Sequence, residues 1–349
     1  MQEIKIGNYT ISPNHKPFLI AEMSGNHNRS IDNALKIIDA AAKAGAHAIK
    51  LQTYTADTLT IDVSHGEFNI TDSKSLWNGR NLYNLYEEAH TPWEWHKALF
   101  ERAKEKEILI FSTPFDDTSV DFLEELGVPA YKVASFENNH LPLLRRIAKT
   151  GKPVIMSTGI STLADIEIAV RTLKENGCKE LILLKCTSTY PATPENTNLL
   201  TIPHMAELFN CYVGLSDHTV GVGVSIASIA LGARVIEKHF TINRSEGGVD
   251  SAFSMEPDEF KILVQETERA FLSLGKVSYG ILEEEKKSLT FKRSIYVVED
   301  MREGDLFTEK NIRIIRPGLG LSPKYFEQII GKRIAKDAKR GTALTFDLI

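Results

Sequence analysis

The sequence predicts an α/β protein, a (β/α)8 TIM barrel followed by a small C-terminal β-rich domain. Three observations predict it. Eight short apolar runs, rich in β-branched residues, recur between residues 18 and 240, and most are separated by segments with a helical period near 3.6. No glycine-rich dinucleotide loop follows the first run, which separates the pattern from a doubly wound open sheet. After about residue 280 the alternation stops, and short strands and turns take over.

Taken in order, IKIGNYTIS (4–12) reads as a short hairpin ahead of the barrel. FLIAEMS (18–24) is the first barrel strand. A helix from Ile31 to Ala44, stopped by Gly45, leads to the second strand, AIKLQTY (48–54). A helical stretch from Pro92 to Lys106 leads to the third, ILIFSTPF (108–115). YKVASFE (131–137), PVIMSTG (153–159), LILLKCTS (181–188), YVGLSDH (212–218) and VIEKHF (235–240) complete the eight. The helix TLADIEIAVRTLKENG (162–177) opens on Thr162 as N-cap and closes at Gly177. The expected domains are a barrel over residues 1–281, a charged linker over 282–292 and a small domain over 293–349. The last is small enough that independent stability is marginal.

Composition narrows the function. Hydrophobic residues make up 42% and charged residues 25% of 349 positions, ordinary for a soluble globular protein. A net charge of -5 gives no sign of a nucleic-acid-binding face, so an anion site must be a local cluster of bases. Cys178, Cys186 and Cys211 have no CxxC spacing and read as reduced thiols of a cytoplasmic protein. The N-terminal MQEIKIGNYT lacks the features of a secretory signal. No apolar run approaches the ~20 residues that cross a membrane.

In a barrel of this type the active groups sit at the C-terminal strand ends. Those ends offer Glu22; Lys50 and Gln52; Ser112, Thr113 and Phe115; Lys132, Ser135 and Glu137; Ser157 and Thr158; Lys185, Thr187, Ser188 and then Tyr190; Ser216, Asp217 and His218; and Glu237, Lys238 and His239. Lys50, Lys132 and Lys185 lie inside apolar runs on alternate strands. A buried ammonium group needs an acid or an anion beside it. Three of them among hydroxyl groups point to a phosphate or carboxylate ligand; pairing with Glu22, Glu137 or Glu237 is the alternative. His218 and His239, on neighbouring strands, suit a divalent Mn2+, Zn2+, Co2+ or Fe2+, with Glu22 or Asp250 completing the shell; two structural histidines are the alternative. Trp77, Trp93, Trp95, Tyr83 and Tyr86 read as packing, with sugar stacking as the alternative. Cys186 reads as a small core residue.

The motifs IAEMSGNHN, IKLQTY, STPFD, YKVASFE, STGIST, CTSTYP, GLSDHT and IEKHF occur in the order found in the sialic acid synthase family, and RPGLGLSPKYF…IGKRIAKDAKRGTAL resembles that family's antifreeze-like (SAF) domain. The resemblance covers nearly the whole chain. It implies condensation of phosphoenolpyruvate with an N-acyl amino sugar to a nine-carbon 2-keto-3-deoxy acid and phosphate, in a domain-swapped homodimer; the charge and the apolar-run lengths point to no nucleic-acid partner and no membrane partner. Segment 76–96 and the SFE of residues 135–137 resemble the subgroup acting on 2,4-diacetamido-2,4,6-trideoxy-L-altrose. Carried over residue by residue, the resemblance implies His218 and His239 as ligands of a divalent metal, typically Mn2+, with Glu22 handling protons beside it. Lys50, Thr113, Lys132, Ser135, Ser157, Lys185 and Ser216 would surround phosphoenolpyruvate, and Phe115 joins this substrate-binding set. Glu137, Tyr190 and Asp250 would contact the sugar or the reacting centre. Arg316 would reach the sugar from the partner subunit. Asn81, Phe136 and Tyr190 are expected to discriminate a 6-deoxy sugar from its hydroxylated relatives.

Overall fold

The computed structural model describes residues 1–73 and 75–349. The chain divides into two compact units, Met1–Gly275 and Lys276–Ile349. Strands β1 (Ile4–Ile6) and β2 (Tyr9–Ile11) pair antiparallel as the expected hairpin. Eight parallel strands then close a barrel: β3 (Phe18–Glu22), β4 (Ala48–Thr53), β5 (Leu109–Pro114), β6 (Tyr131–Val133), β7 (Val154–Ser157), β8 (Leu181–Cys186), β9 (Tyr212–Ser216) and β10 (Val235–His239). The barrel closes where β10 pairs with β3.

The strands read as near-continuous apolar runs because both of their faces are covered. Helices lie outside, and side chains of alternate residues fill the inside. Helix Ile31–Ala44 shows the local logic. The Ser30 hydroxyl caps it by accepting from the Asn33 N–H, Ile37, Ile38 and Ala41 turn to the core, and Gly45 ends it at φ 89. Thr162 caps helix Leu163–Glu175 in the same way, with Asp165 returning the bond. Gly214 on β9 has no space for a side chain: an added Cβ would lie 2.1 Å from the Val235 carbonyl oxygen and 2.7 Å from Leu184 Cδ2.

The second unit has its own small core of Ile295, Val297, Phe307, Ile312, Ile334 and Leu344. It contains the antiparallel pair β11 (Ser294–Val297) and β12 (Ile312–Ile315). The segment expected as a linker forms helical turns over Glu283–Phe291.

Gly214→Ala is expected to lower barrel stability by roughly 1–3 kcal/mol, because a closed barrel cannot spread two strands locally without disturbing the rest. A melting temperature within 1 °C of the parent protein would show that the crowding at Val235 is absorbed.

Candidate active site

The strand register builds the site. His239 of β10 pairs with Glu22 of β3, and Glu22 pairs with Lys50 of β4. Two residues earlier on β10, Glu237 pairs with Ser216 of β9. Alternation turns these residues to the barrel interior, and so do Lys132, Ser157 and Cys186 on β6, β7 and β8. Together with the loops that follow the strands they line a cavity of about 370 Å3 at the C-terminal mouth. A larger hollow of about 870 Å3, lined by Asn8, Lys104, Glu107 and Leu109, lies at the N-terminal strand ends and gathers no buried ionisable groups.

Two buried ammonium groups organise the charged half of the cavity. Lys50 Nζ lies 2.6 Å from Glu22 Oε2 and 3.9 Å from Glu237 Oε1, and donates to Thr113 Oγ1 at 3.1 Å. Lys132 Nζ lies 3.7 Å from Glu237 Oε1 and donates to Ser157 Oγ at 2.7 Å. Glu22 also accepts from the Gln52 amide at 2.9 Å. Burial pushes the Glu22 carboxyl up to about 7; Glu237 adds to the shift and Lys50 opposes it. Burial also brings Glu137 up to about 7, against the pull of Lys132 and Lys50. Burial lowers the Lys132 pKa as well, whereas at Lys50 the attraction of Glu22 and Glu237 outweighs it. Four carboxyl groups (Glu22, Glu137, Glu237 and Asp250) thus share the cavity with two ammonium groups. Glu22 and Glu137 can thus hold protons near neutral pH, and the two ammonium groups serve as cationic donors for an anion.

His218 and His239 stand side by side with ring centroids 5.3 Å apart. The Nδ1 of His218 faces the Thr187 carbonyl oxygen at 2.9 Å, which places the proton there and leaves Nε2 free to ligate. His239 is held neutral by burial, helped by nearby His218 and lysines. Its Nδ1 is buried without a hydrogen bond and lies 3.8 Å from Asp250 Oδ2. Among the described residues no three His, Cys, Asp or Glu side chains are arranged as a complete metal cage. The two neighbouring imidazoles, with the unbonded His239 Nδ1, are of the donor type that could hold a divalent ion.

The other half of the cavity is apolar and comes from the long segment between β4 and β5. Leu59, Ile70, Leu82 and Leu85 line it with Tyr54, Trp77, Tyr86 and Phe115. Tyr190 bridges the halves, its ring 4.5 Å from His218, 5.2 Å from Phe253 and 5.8 Å from Trp77.

Of the residues singled out from the sequence, Glu22, Lys50, Phe115, Lys132, Ser135, Glu137, Ser157, Tyr190, Ser216, His218, His239 and Asp250 line this one cavity. Thr113 stands behind Lys50. Lys185 departs from the expectation. Cys186 takes the inward place on β8, so Lys185 turns outward, where its ammonium bonds the Cys186 carbonyl oxygen and Thr187 Oγ1. Arg316 belongs to the second unit, where it is exposed at the end of β12. Asn81 lies outside the cavity lining: it caps helix Leu82–Ala89, and its amide holds the Val63 and Phe68 carbonyl oxygens. Among the aromatics, Trp77 and Tyr86 face the cavity, whereas Trp93 stacks on Phe122 and Trp95 meets His27. Sequence reasoning gave no site role to Gly159, whose N–H donates to Ser135 Oγ at 3.0 Å and whose added Cβ would meet Ser188 Oγ at 2.2 Å. Its place directly after Ser157 and Thr158 at a strand end was the available signal.

A closed parallel barrel with buried lysines, acids and paired imidazoles at its C-terminal mouth defines an enzyme that works on an anionic substrate. The chain belongs to the NeuB family, whose model matches residues 37–279, and a SAF domain model matches residues 292–349. It is 45% identical over 341 residues to the pseudaminic acid synthase of Campylobacter jejuni (serotype O:2), covering 98% of both chains. It is 40% identical to the pseudaminic acid synthase of Helicobacter pylori, over 95% of this chain and 97% of that one. Among solved structures, the N-acetylneuraminic acid synthetase of Leptospira borgpetersenii aligns with a TM-score of 0.72 at 35% identity, over 82% of this chain and 95% of that one.

The folded-state pKa of Glu137 lies above its unfolded value of about 4.5, so the folded barrel keeps a proton that the unfolded chain has lost. Its contribution to stability is complete below pH 4.5 and is lost as the pH rises through 7. Glu137→Gln is expected to lose less stability than the parent between pH 5 and 8, by at most roughly 3 kcal/mol. Parallel denaturation profiles for the two proteins would show that this carboxyl is already ionised in the fold.

Proposed function

We propose that the protein condenses phosphoenolpyruvate with 2,4-diacetamido-2,4,6-trideoxy-L-altrose and water, giving pseudaminic acid and inorganic phosphate. The two-faced cavity carries this reading. Its charged half suits a small dianion that bears both phosphate and carboxylate. Its apolar half, Leu59, Ile70, Leu82 and Leu85, suits a methyl group where other sugars present a hydroxyl group. The likeness to two pseudaminic acid synthases supports the same choice.

In this reaction the enol π pair of phosphoenolpyruvate forms a bond from its C3 to the open-chain aldehyde carbon. Water supplies the new oxygen at C2, and phosphate leaves with the bridging oxygen. Lys50 and Lys132 hold the phosphate and carboxylate charges, and the hydroxyl groups of Thr113, Ser135, Ser157 and Ser216 orient them. Glu22, with its pKa near neutrality, takes the proton of the attacking water, and a proton goes to the aldehyde oxygen. The cofactor in this reading is a divalent metal, most simply Mn2+; His218 and His239 would hold it, and when bound it supplies Lewis-acid polarisation of that oxygen. Glu137, Tyr190 and Asp250 position the sugar. In a domain-swapped homodimer, Arg316 of a second copy would complete the sugar site; the RPG motif that contains it supports this part of the proposal.

The reading is tested by phosphate release and product mass spectrometry with phosphoenolpyruvate and Mn2+, offering the 6-deoxy sugar and N-acetylmannosamine in parallel. Turnover of the 6-deoxy sugar alone is expected. Turnover of N-acetylmannosamine alone moves the specificity to N-acetylneuraminate, and turnover of neither overturns the proposal. Glu22→Gln is expected to lower kcat by about 100-fold or more with little change in the KM of phosphoenolpyruvate; an unchanged kcat removes Glu22 from the proton path.

A further inference from the structure

Behind the two imidazoles, on the opposite side of the sheet, lies an ion pair that the proposed reaction does not use. Lys238 precedes His239 on β10, so strand alternation turns it away from the cavity, and Asp217, the first residue after β9, lies beside it. They are 1% and 2% exposed. Lys238 Nζ donates all three of its protons: to Asp217 Oδ2 at 3.0 Å, to the Thr219 carbonyl oxygen at 2.7 Å and to the Gly221 carbonyl oxygen at 3.0 Å. Asp217 in turn accepts from the Thr219 N–H and hydroxyl, and from the Ser225 hydroxyl of helix Gly223–Ala230 at 2.6 Å.

A buried ion pair of this kind is weak evidence for stability, since apolar side chains of similar volume commonly serve as well or better. Its partners show what it does instead. The acceptors of Lys238 bracket His218 on both sides in sequence, while Lys238 itself is bonded covalently to His239. Ahead of His218 the backbone itself joins the two strands, the Asp217 N–H donating to the Glu237 carbonyl oxygen at 2.9 Å. At His218 the ties come from the side: the Ala192 N–H donates to the His218 carbonyl oxygen at 3.0 Å, and the Thr187 carbonyl oxygen fixes the ring. Beyond His218, the bonds from Lys238 to the Thr219 and Gly221 carbonyl oxygens hold the turn to β10.

We infer that Lys238 is a positioning residue, which clamps the 217–221 turn onto β10 and so fixes the His218 imidazole relative to that of His239. The clamp never touches substrate. The inference rests on the reading of His218 and His239 as the pair that holds the metal.

The test uses the full-length chain and two variants. Lys238→Met alone leaves the Asp217 carboxylate buried without a cation and is expected to destabilise the fold. Asp217→Asn with Lys238→Met removes both charges and is expected to fold. In that double variant the Mn2+ dissociation constant, read from free-Mn2+ electron paramagnetic resonance, is expected to rise tenfold or more. Its kcat should fall by a similar factor, while the KM for phosphoenolpyruvate stays within about twofold, because Lys50, Lys132 and Ser157 are untouched. A folded double variant with Mn2+ affinity and kcat within about twofold of the parent overturns the inference. Failure of the double variant to fold also overturns it, since the pair would then hold the barrel together rather than aim one imidazole. A parent protein that binds no Mn2+ refutes the metal reading instead, and the fall in kcat at constant KM still decides on the clamp.

Discussion

The structure depends on the Lys50 ammonium group, enclosed at the barrel mouth between Glu22 and Glu237. Taking a cation out of water is costly unless acids and hydroxyl groups surround it closely. The barrel meets that requirement by register. β10, β3 and β4 are aligned so that His239, Glu22 and Lys50 fall side by side, and Glu237 lies within reach of both lysines. A slip of one residue on any of these strands would turn its charged group into the helix layer. The apolar filling beneath the mouth is what makes the charged layer dry, and dryness is what raises Glu22 and Glu137 towards neutrality.

The same alternation explains how far the sequence could be read. Eight β-branched runs with helical spacers leave little freedom of architecture, and each run observed as a barrel strand lies within the segment expected of it. Glu22 and His239 were legible because an ionisable group that ends an apolar run has few structural explanations. Lys185 was not. Whether a lysine in such a run faces the cavity depends on the phase of its strand, which is set by the register against both neighbours. On β8 that register gives the inward place to Cys186 and pairs Lys185 with Leu215 on the outside. Glu237 is the converse case: it stood beside His239 in the sequence as one acid among several, and only the closed barrel shows it between the two lysines.

The apolar half of the cavity was the least legible part. Residues 54–89 follow neither a strand period nor one long helical period, so nothing local shows which of their side chains meet a ligand. Tertiary placement decides this. Asn81 spends its side chain on capping and on two carbonyl groups, and by fixing the turn ahead of helix Leu82–Ala89 it lets Leu82 and Leu85 face the cavity. A polar residue that the sequence suggests for recognition thus shapes the site from outside it.

A closed barrel also constrains how its catalytic groups can be adjusted. It has no free edge, so a strand end cannot shift without its neighbours. The turns that leave the strands are less constrained, and His218 sits on one of them. Residues adjacent in a strand share a peptide bond but face opposite layers, so the outer layer can hold an inner side chain in place without entering the cavity. Lys238 and Asp217 occupy that outer position directly behind His239 and His218. The inner layer at these positions must leave room and unpaired donors for ligands, so it cannot satisfy all of its own hydrogen bonds; Glu237 Oε2 and His239 Nδ1 are left without partners. The outer layer has no such duty, and there every donor of Lys238 is used. Rigidity at the mouth is therefore supplied from behind the sheet, where it does not compete with binding.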